Sequence, residues 1–147
     1  VEDDVVMLTR AVPMGGLALS RTLASDLGLE QAQAEQYKRT YGLDARQLQG
    51  KVRMALTPVV NSLMNEIRKA MQFYFSAHQG KLSRVQLAGG GAYLPQLTAQ
   101  VAAELGAETV IASPFTGVTM DAVQQKRLGG VGAVFGVAVG LALRGLE

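Results

Sequence analysis

The chain has 147 residues, 48% of them hydrophobic and 18% charged, so it can bury the core of one domain or two small lobes and is too apolar for a disordered chain. Cys is absent and His occurs once, at His78, which excludes disulfide frameworks, zinc–thiolate and Fe–S sites and Cys nucleophiles, and leaves any Ser–His triad resting on one imidazole. The net charge is only +2, Lys and Arg are scattered and Trp is missing, so no nucleic-acid partner is expected.

The chain opens Val1-Glu2-Asp3-Asp4, without Met and without a cationic region leading into an apolar one. It reads as a processed or partial chain with no signal peptide, and the acidic cluster as a solvated end. Val5–Arg10 is apolar and β-branched and predicts a strand, ended by Pro13-Met14-Gly15-Gly16. Leu19, Leu23, Ala24 and Leu27 fall at helical spacing, with Gly28 as the stop. A polar, Gln-rich surface helix is expected from about Glu30 to Tyr41, closed by Gly42. The strongest helix follows, on a stripe of Val52, Leu56, Val59, Val60, Leu63, Ile67, Ala70, Met71 and Tyr74. Pro58 either kinks it or restarts it, with Thr57 as N-cap. His78 falls at its end, where a contact with the helix dipole is the ordinary reading.

Leu82–Ala88 alternates and predicts a strand that empties into Gly89-Gly90-Gly91. A helix from about Pro95 to Leu105 follows, with Pro95 at its first position and Gly106 as its stop. Thr109–Ala112 predicts a short buried strand, and residues 113–127 a loop with a helical turn. A last helix is expected over about Arg127–Arg144. It includes the uncharged run Leu128–Leu143 with Gly132, Gly136 and Gly140 at period four, a pattern that suits close packing of helices. The run is shorter than the ~20 apolar residues that span a bilayer, so a buried helix is expected and not a membrane span. The order is α/β, with a small sheet and a helical insert of about 17–80 between its first two strands; 1–16 and 81–147 form the sheet lobe.

Familiar catalytic motifs fail. No G-x-x-x-x-G-K-[ST] or G-x-S-x-G occurs. Gly130-x-Gly132-x-x-x-Gly136 does not follow a strand, as a dinucleotide fingerprint must. Three segments remain. In Leu87–Pro95 a strand runs through three glycines towards a helix, where bare backbone lets a ligand approach and N–H groups attract phosphate or sugar oxygens; a ligand-free turn is the plain alternative. In Ala34–Thr40, Glu35 shares a helix face with Lys38 and Arg39. That is either an ordinary surface ion pair or a carboxylate for sugar hydroxyls beside a cation for an adenine face or phosphate oxygen. In Arg10–Gly16, paired glycines again sit before a helix, with Ser20 four residues on.

Together and in order, these segments resemble the second large domain of the actin-like ATPases, and within that superfamily the PilM family of type IV pilus assembly proteins, relatives of the division protein FtsA. The resemblance rests on R-x-x-P-x-G-G at Arg10–Gly16, A-E-x-x-K at Ala34–Lys38, N-E-I-R-K-A-M-Q-F-Y at Asn65–Tyr74 and L-A-G-G-G-A-Y-L-P at Leu87–Pro95. It continues with S-P-F at Ser113–Phe115 and A-V-G-L-A-L-R at Ala138–Arg144. It implies a ribonuclease H-like α/β domain with a small mixed sheet and an inserted helical subdomain. It implies ATP, with Mg²⁺ in the complete protein, held in a cleft between two domains. Gly89, Gly90 and Gly91, followed by Ala92 and Tyr93, would form the adenosine loop. Glu35 and Lys38 would touch ribose and adenine, and Gly15 and Gly16 would lie near the phosphates. Arg39 joins this set because the Glu35–Thr40 stretch is also similar to the adenosine-contacting helix of heat-shock chaperone ATPases.

The superfamily's first domain and the D-x-G phosphate loop of its second are missing from this sequence. The resemblance is therefore to a C-terminal portion, from which no hydrolysis is expected alone and no catalytic residue is assigned. It implies a cytoplasmic place beside the inner membrane, held through partners: the cytoplasmic N-terminal segment of PilN, other pilus assembly proteins, and a first domain or another chain covering the last helix. Two other readings stay open: a nucleotide-independent interaction module of a secretion or division complex, and a dinucleotide-binding fragment.

Overall fold

The computed structural model describes residues 1–2, 5–77 and 81–144. The chain forms two compact units, Val1–Leu82 and Ser83–Glu147. His78, Asp3 and Asp4, singled out in the sequence, lie outside the described residues.

The first unit is helical. Helix α1 (Gly16–Leu27) ends where Gly28 turns left-handed at φ 62°. Helix α2 (Gln31–Tyr41) starts on a reciprocal cap of Glu30 and Gln33 and ends at Gly42. Helix α3 (Lys51–Ala77) runs through Pro58 without restarting. Thr57 does not cap a new helix; its hydroxyl donates back to the Arg53 carbonyl at 2.7 Å. The buried row of α3 is Val52, Leu56, Val60 and Met64, spaced by four, with Ala55 beside it. Positions 67, 70, 71 and 74 of the expected stripe are only half-buried. Helix α1 packs on both α2 and α3, and Leu23, Ala34, Leu43, Val52, Leu56, Val60 and Met64 form the core.

The strand expected at Val5–Arg10 does not form; among the described residues this unit holds only an isolated Glu2–Val5 bridge. A strand needs a neighbour to complete its ladder, and the described residues of the first unit supply none. Side chains tether the segment to α3 instead: Arg10 Nη2 meets Glu66 Oε2 at 2.5 Å, and Tyr74 Oη donates to Glu2 Oε2 at 2.6 Å.

The second unit carries the sheet. Strands β1 (Arg84–Leu87) and β2 (Glu108–Ile111) pair in parallel, Arg84 opposite Glu108 through Leu87 opposite Ile111. Arg84 Nε donates across the first rung to Glu108 Oε2 at 2.9 Å. Helix α4 (Leu97–Leu105) makes the crossover, packs on β2 and ends at left-handed Gly106. Pro95 is not its first residue, because Leu94 is extended, as a residue before proline prefers, and Gln96 is left-handed at φ 66°. Strand β2 is less buried than expected, with Glu108 and Ile111 both exposed.

The last expected helix is broken. Helix α5 (Ala122–Leu128), capped by Asp121, is followed by a 3-10 turn at Gly132–Phe135 and by helix α6 (Gly136–Leu143). The chain bends by 90° at the break. Gly129-Gly130 weakens helical continuity there, and the backbone of Ala133 is bonded elsewhere. Nor is α6 the expected buried helix. None of its residues is buried, and side chains built at Gly136 and Gly140 would meet nothing within 4 Å. Among the described residues, no single helix is long and apolar enough to cross a membrane.

Candidate functional site

In the first unit, the structure brings Gly16, Glu35, Lys38 and Arg39 together around one carboxylate. The Gly16 carbonyl, at the start of α1 with Gly15 extended before it, is a half-buried acceptor. Helix α2 presents Glu35, Lys38 and Arg39 on one face because they stand at i, i+3 and i+4. Lys38 Nζ donates to Gly16 O at 3.0 Å, Ser20 Oγ at 2.9 Å and Glu35 Oε2 at 2.6 Å. Ser20, fully buried on α1, bonds the same Oε2. Arg39 Nε donates to the other oxygen, Oε1, at 2.7 Å.

The Glu35 carboxyl is therefore held down to about 2. The largest cause is the bond from Lys38, then that from Ser20, with Arg39 adding to both and partial burial opposing them. Exposure differs sharply across the cluster: the Lys38 side chain is 12% exposed, Glu35 36% and Arg39 77%. Ser20 is the member that sequence reasoning left out of the site. Its signal was its position four residues after Gly16, one helical turn into α1.

In the second unit, the glycine run leaves β1 and tightens into a 3-10 turn at Gly90–Tyr93. Only Gly89 needs to be glycine for its backbone, at φ 80°. Gly90 and Gly91 have no positive φ, and a Cβ at either meets no heavy atom within 4 Å. The N–H of Gly89 donates to Ala133 O at 2.8 Å, and the N–H of Ala133 donates to Tyr93 Oη at 3.0 Å. Ala92 is buried beneath the turn. Pro114 and Phe115 lie against Gly132, with Phe115 Cδ2 at 3.5 Å from a Cβ built there.

The model of the family "Type IV pilus assembly protein PilM" matches residues 1–146. The chain belongs to the PilM family. A solved relative, a PilM–PilN type IV pilus biogenesis complex, superposes with a TM-score of 0.72 at 30% identity, over 88% of this chain. This PilM-family chain spans 36% of the length of that relative. The α/β class expected from the sequence agrees with that likeness. Several family motifs have structural work here. Arg10 of the first pairs with Glu66 of the third, and Tyr93 of the glycine motif receives the Ala133 N–H.

Proposed function

We propose that this chain is the adenosine-contacting portion of an ATP-binding, actin-like component of the type IV pilus assembly complex, in which nucleotide acts as a scaffold and switch. The observation that carries this reading is the bare backbone of Gly90 and Gly91. Folding accounts for Gly89 through its positive φ, but neither backbone strain nor crowding calls for glycine at the next two positions. Close approach of a ligand to the main chain does. In the other unit, Glu35 supports the reading as a fixed anion suited to sugar hydroxyls, with the exposed Arg39 guanidinium beside it suited to a flat ring.

Each set taken by itself suits part of adenosine: a bare main chain in one unit, a fixed carboxylate beside a guanidinium in the other. Glu35 is engaged by three donors, and among the described residues no three His, Cys, Asp or Glu side chains converge, so no residue is assigned to Mg²⁺. No step is therefore assigned to a metal. By likeness to the solved complex, we take a PilN-type protein as the partner; the family resemblance adds that a cytoplasmic segment of it would hold the protein beside the inner membrane. ATP should raise the melting temperature of this protein, by roughly 5–10 °C at a hundredfold excess over Kd. An unchanged melting temperature favours a nucleotide-independent interaction module.

A further inference from the structure

We propose that the bend between α5 and α6 is a conformational switch latched by the glycine turn: while Gly89 and Tyr93 hold Ala133 the chain stays bent, and when they release it residues 122–143 straighten into one helix. That ATP works the latch rests on the nucleotide reading above; the latch itself does not.

A sharp helix bend has a local cause, such as a proline, a glycine pair or a group inserted into the hydrogen-bond ladder. Residues 122–143 contain no proline, and none of them has a positive φ. Gly129-Gly130 permits the bend without forcing it, since Gly129 is itself helical at φ −58°, ψ −30°. Val131 (φ −134°, ψ 5°) and Phe135 (φ −91°, ψ 5°) can reach helical angles without crossing to the left-handed side. Val131 and Val134 already donate to the carbonyls three residues back, Leu128 and Val131. What breaks the ladder is Ala133. A continuous helix would give its N–H to the Gly129 carbonyl; here it goes to Tyr93 Oη at 3.0 Å. Its carbonyl takes the Gly89 N–H at 2.8 Å. The Phe115–Phe135 pair, with ring centroids 6.2 Å apart, braces the turn from the loop after β2. Beyond the turn, α6 has no buried residue to hold its direction. Both gripping loops leave the carboxyl ends of the parallel strands, where an open α/β sheet takes its ligands. A ligand on the main chain of Gly90 and Gly91 would sit between the two latch points and need the turn intact, so it would favour the bent state.

The test is the distance between nitroxide spin labels on Gln125→Cys and Leu141→Cys, two exposed positions in a sequence with no cysteine of its own. A straight helix places the two backbones about 24 Å apart along its axis, and the bent form brings them closer. The labelled protein should show the short distance. Tyr93→Phe should raise the ratio of straight to bent about tenfold, through the loss of one hydrogen bond. Gly130→Ala, whose Cβ meets no heavy atom within 4 Å, should raise it about fivefold with the latch intact. The two together should raise it about fiftyfold, enough for a separate long-distance peak, and saturating ATP should reverse the rise. Should Tyr93→Phe not fold, Gly130→Ala carries the same test. A single short distance in the variants overturns the proposal. If they straighten while ATP shifts no distance and calorimetry shows no binding, the latch stands and the nucleotide reading falls.

Discussion

Ala133 and Tyr93, 40 residues apart, are joined through the backbone N–H of one and the hydroxyl of the other at 3.0 Å. The carbonyl of the same Ala133 takes the N–H of Gly89 at 2.8 Å. The glycine turn is thus fastened at both ends to a residue that is 1% exposed. Removing the Tyr93 hydroxyl strands a buried N–H, which costs about 1–3 kcal/mol. Tyr93→Phe should lower the stability of the second unit by that amount in urea denaturation; an unchanged midpoint would show that the bond is not maintained.

The three glycines should separate by stability. Gly89→Ala forces a Cβ into φ 80°, ψ 177°, a region nearly reserved for glycine, and should cost about 1–3 kcal/mol. Gly90→Ala and Gly91→Ala meet no crowding and should be neutral, or stabilising by about 0.4–1 kcal/mol through the unfolded chain. Equal destabilisation at all three positions would mean that the turn demands glycine throughout.

Acid should unfasten the first unit through Glu35. Its carboxyl lies at about 2 when folded against an ordinary value of 4.5, held there first by Lys38 and then by Ser20. In that window the unfolded chain binds more protons, so stability rises with pH. The contribution is fully present above about 4.5 and is lost as pH falls towards 2. Glu35→Gln should flatten this part of the stability–pH curve; a slope identical to the wild type would assign it to other carboxylates.

Pro58 leaves the Met54 carbonyl without its helical N–H partner, inside a helix of 27 residues. Pro58→Ala restores that donor at an exposed position. Thermal unfolding should show a gain of about 1–3 kcal/mol. A loss would indicate that α3 depends on the proline's geometry.

Much of this was legible because local chemistry and tertiary packing agreed. Gly28, Gly42 and Gly106 end their helices where the sequence placed the stops, since a chain leaving a helix often does so through a conformation that glycine accepts most readily. The Glu35, Lys38 and Arg39 face followed from helical spacing alone. Val5–Arg10 failed because strand propensity cannot supply a partner strand. The final helix failed because apolar composition concealed Gly129-Gly130 and the claim on Ala133's backbone from a turn 40 residues earlier. Ser20 stands beside the Arg10–Gly16 motif in the sequence, but its bond to Glu35 depends on α2 docking beside α1, which no local pattern records.

The most direct test of ATP binding at the glycine turn is calorimetric titration of the wild type and Gly90→Val, with melting curves of both. The account predicts that the wild type binds ATP and that the valine side chain abolishes or strongly weakens binding while the melting temperature without nucleotide stays within a few degrees. Equal ATP affinity in the two proteins would contradict it.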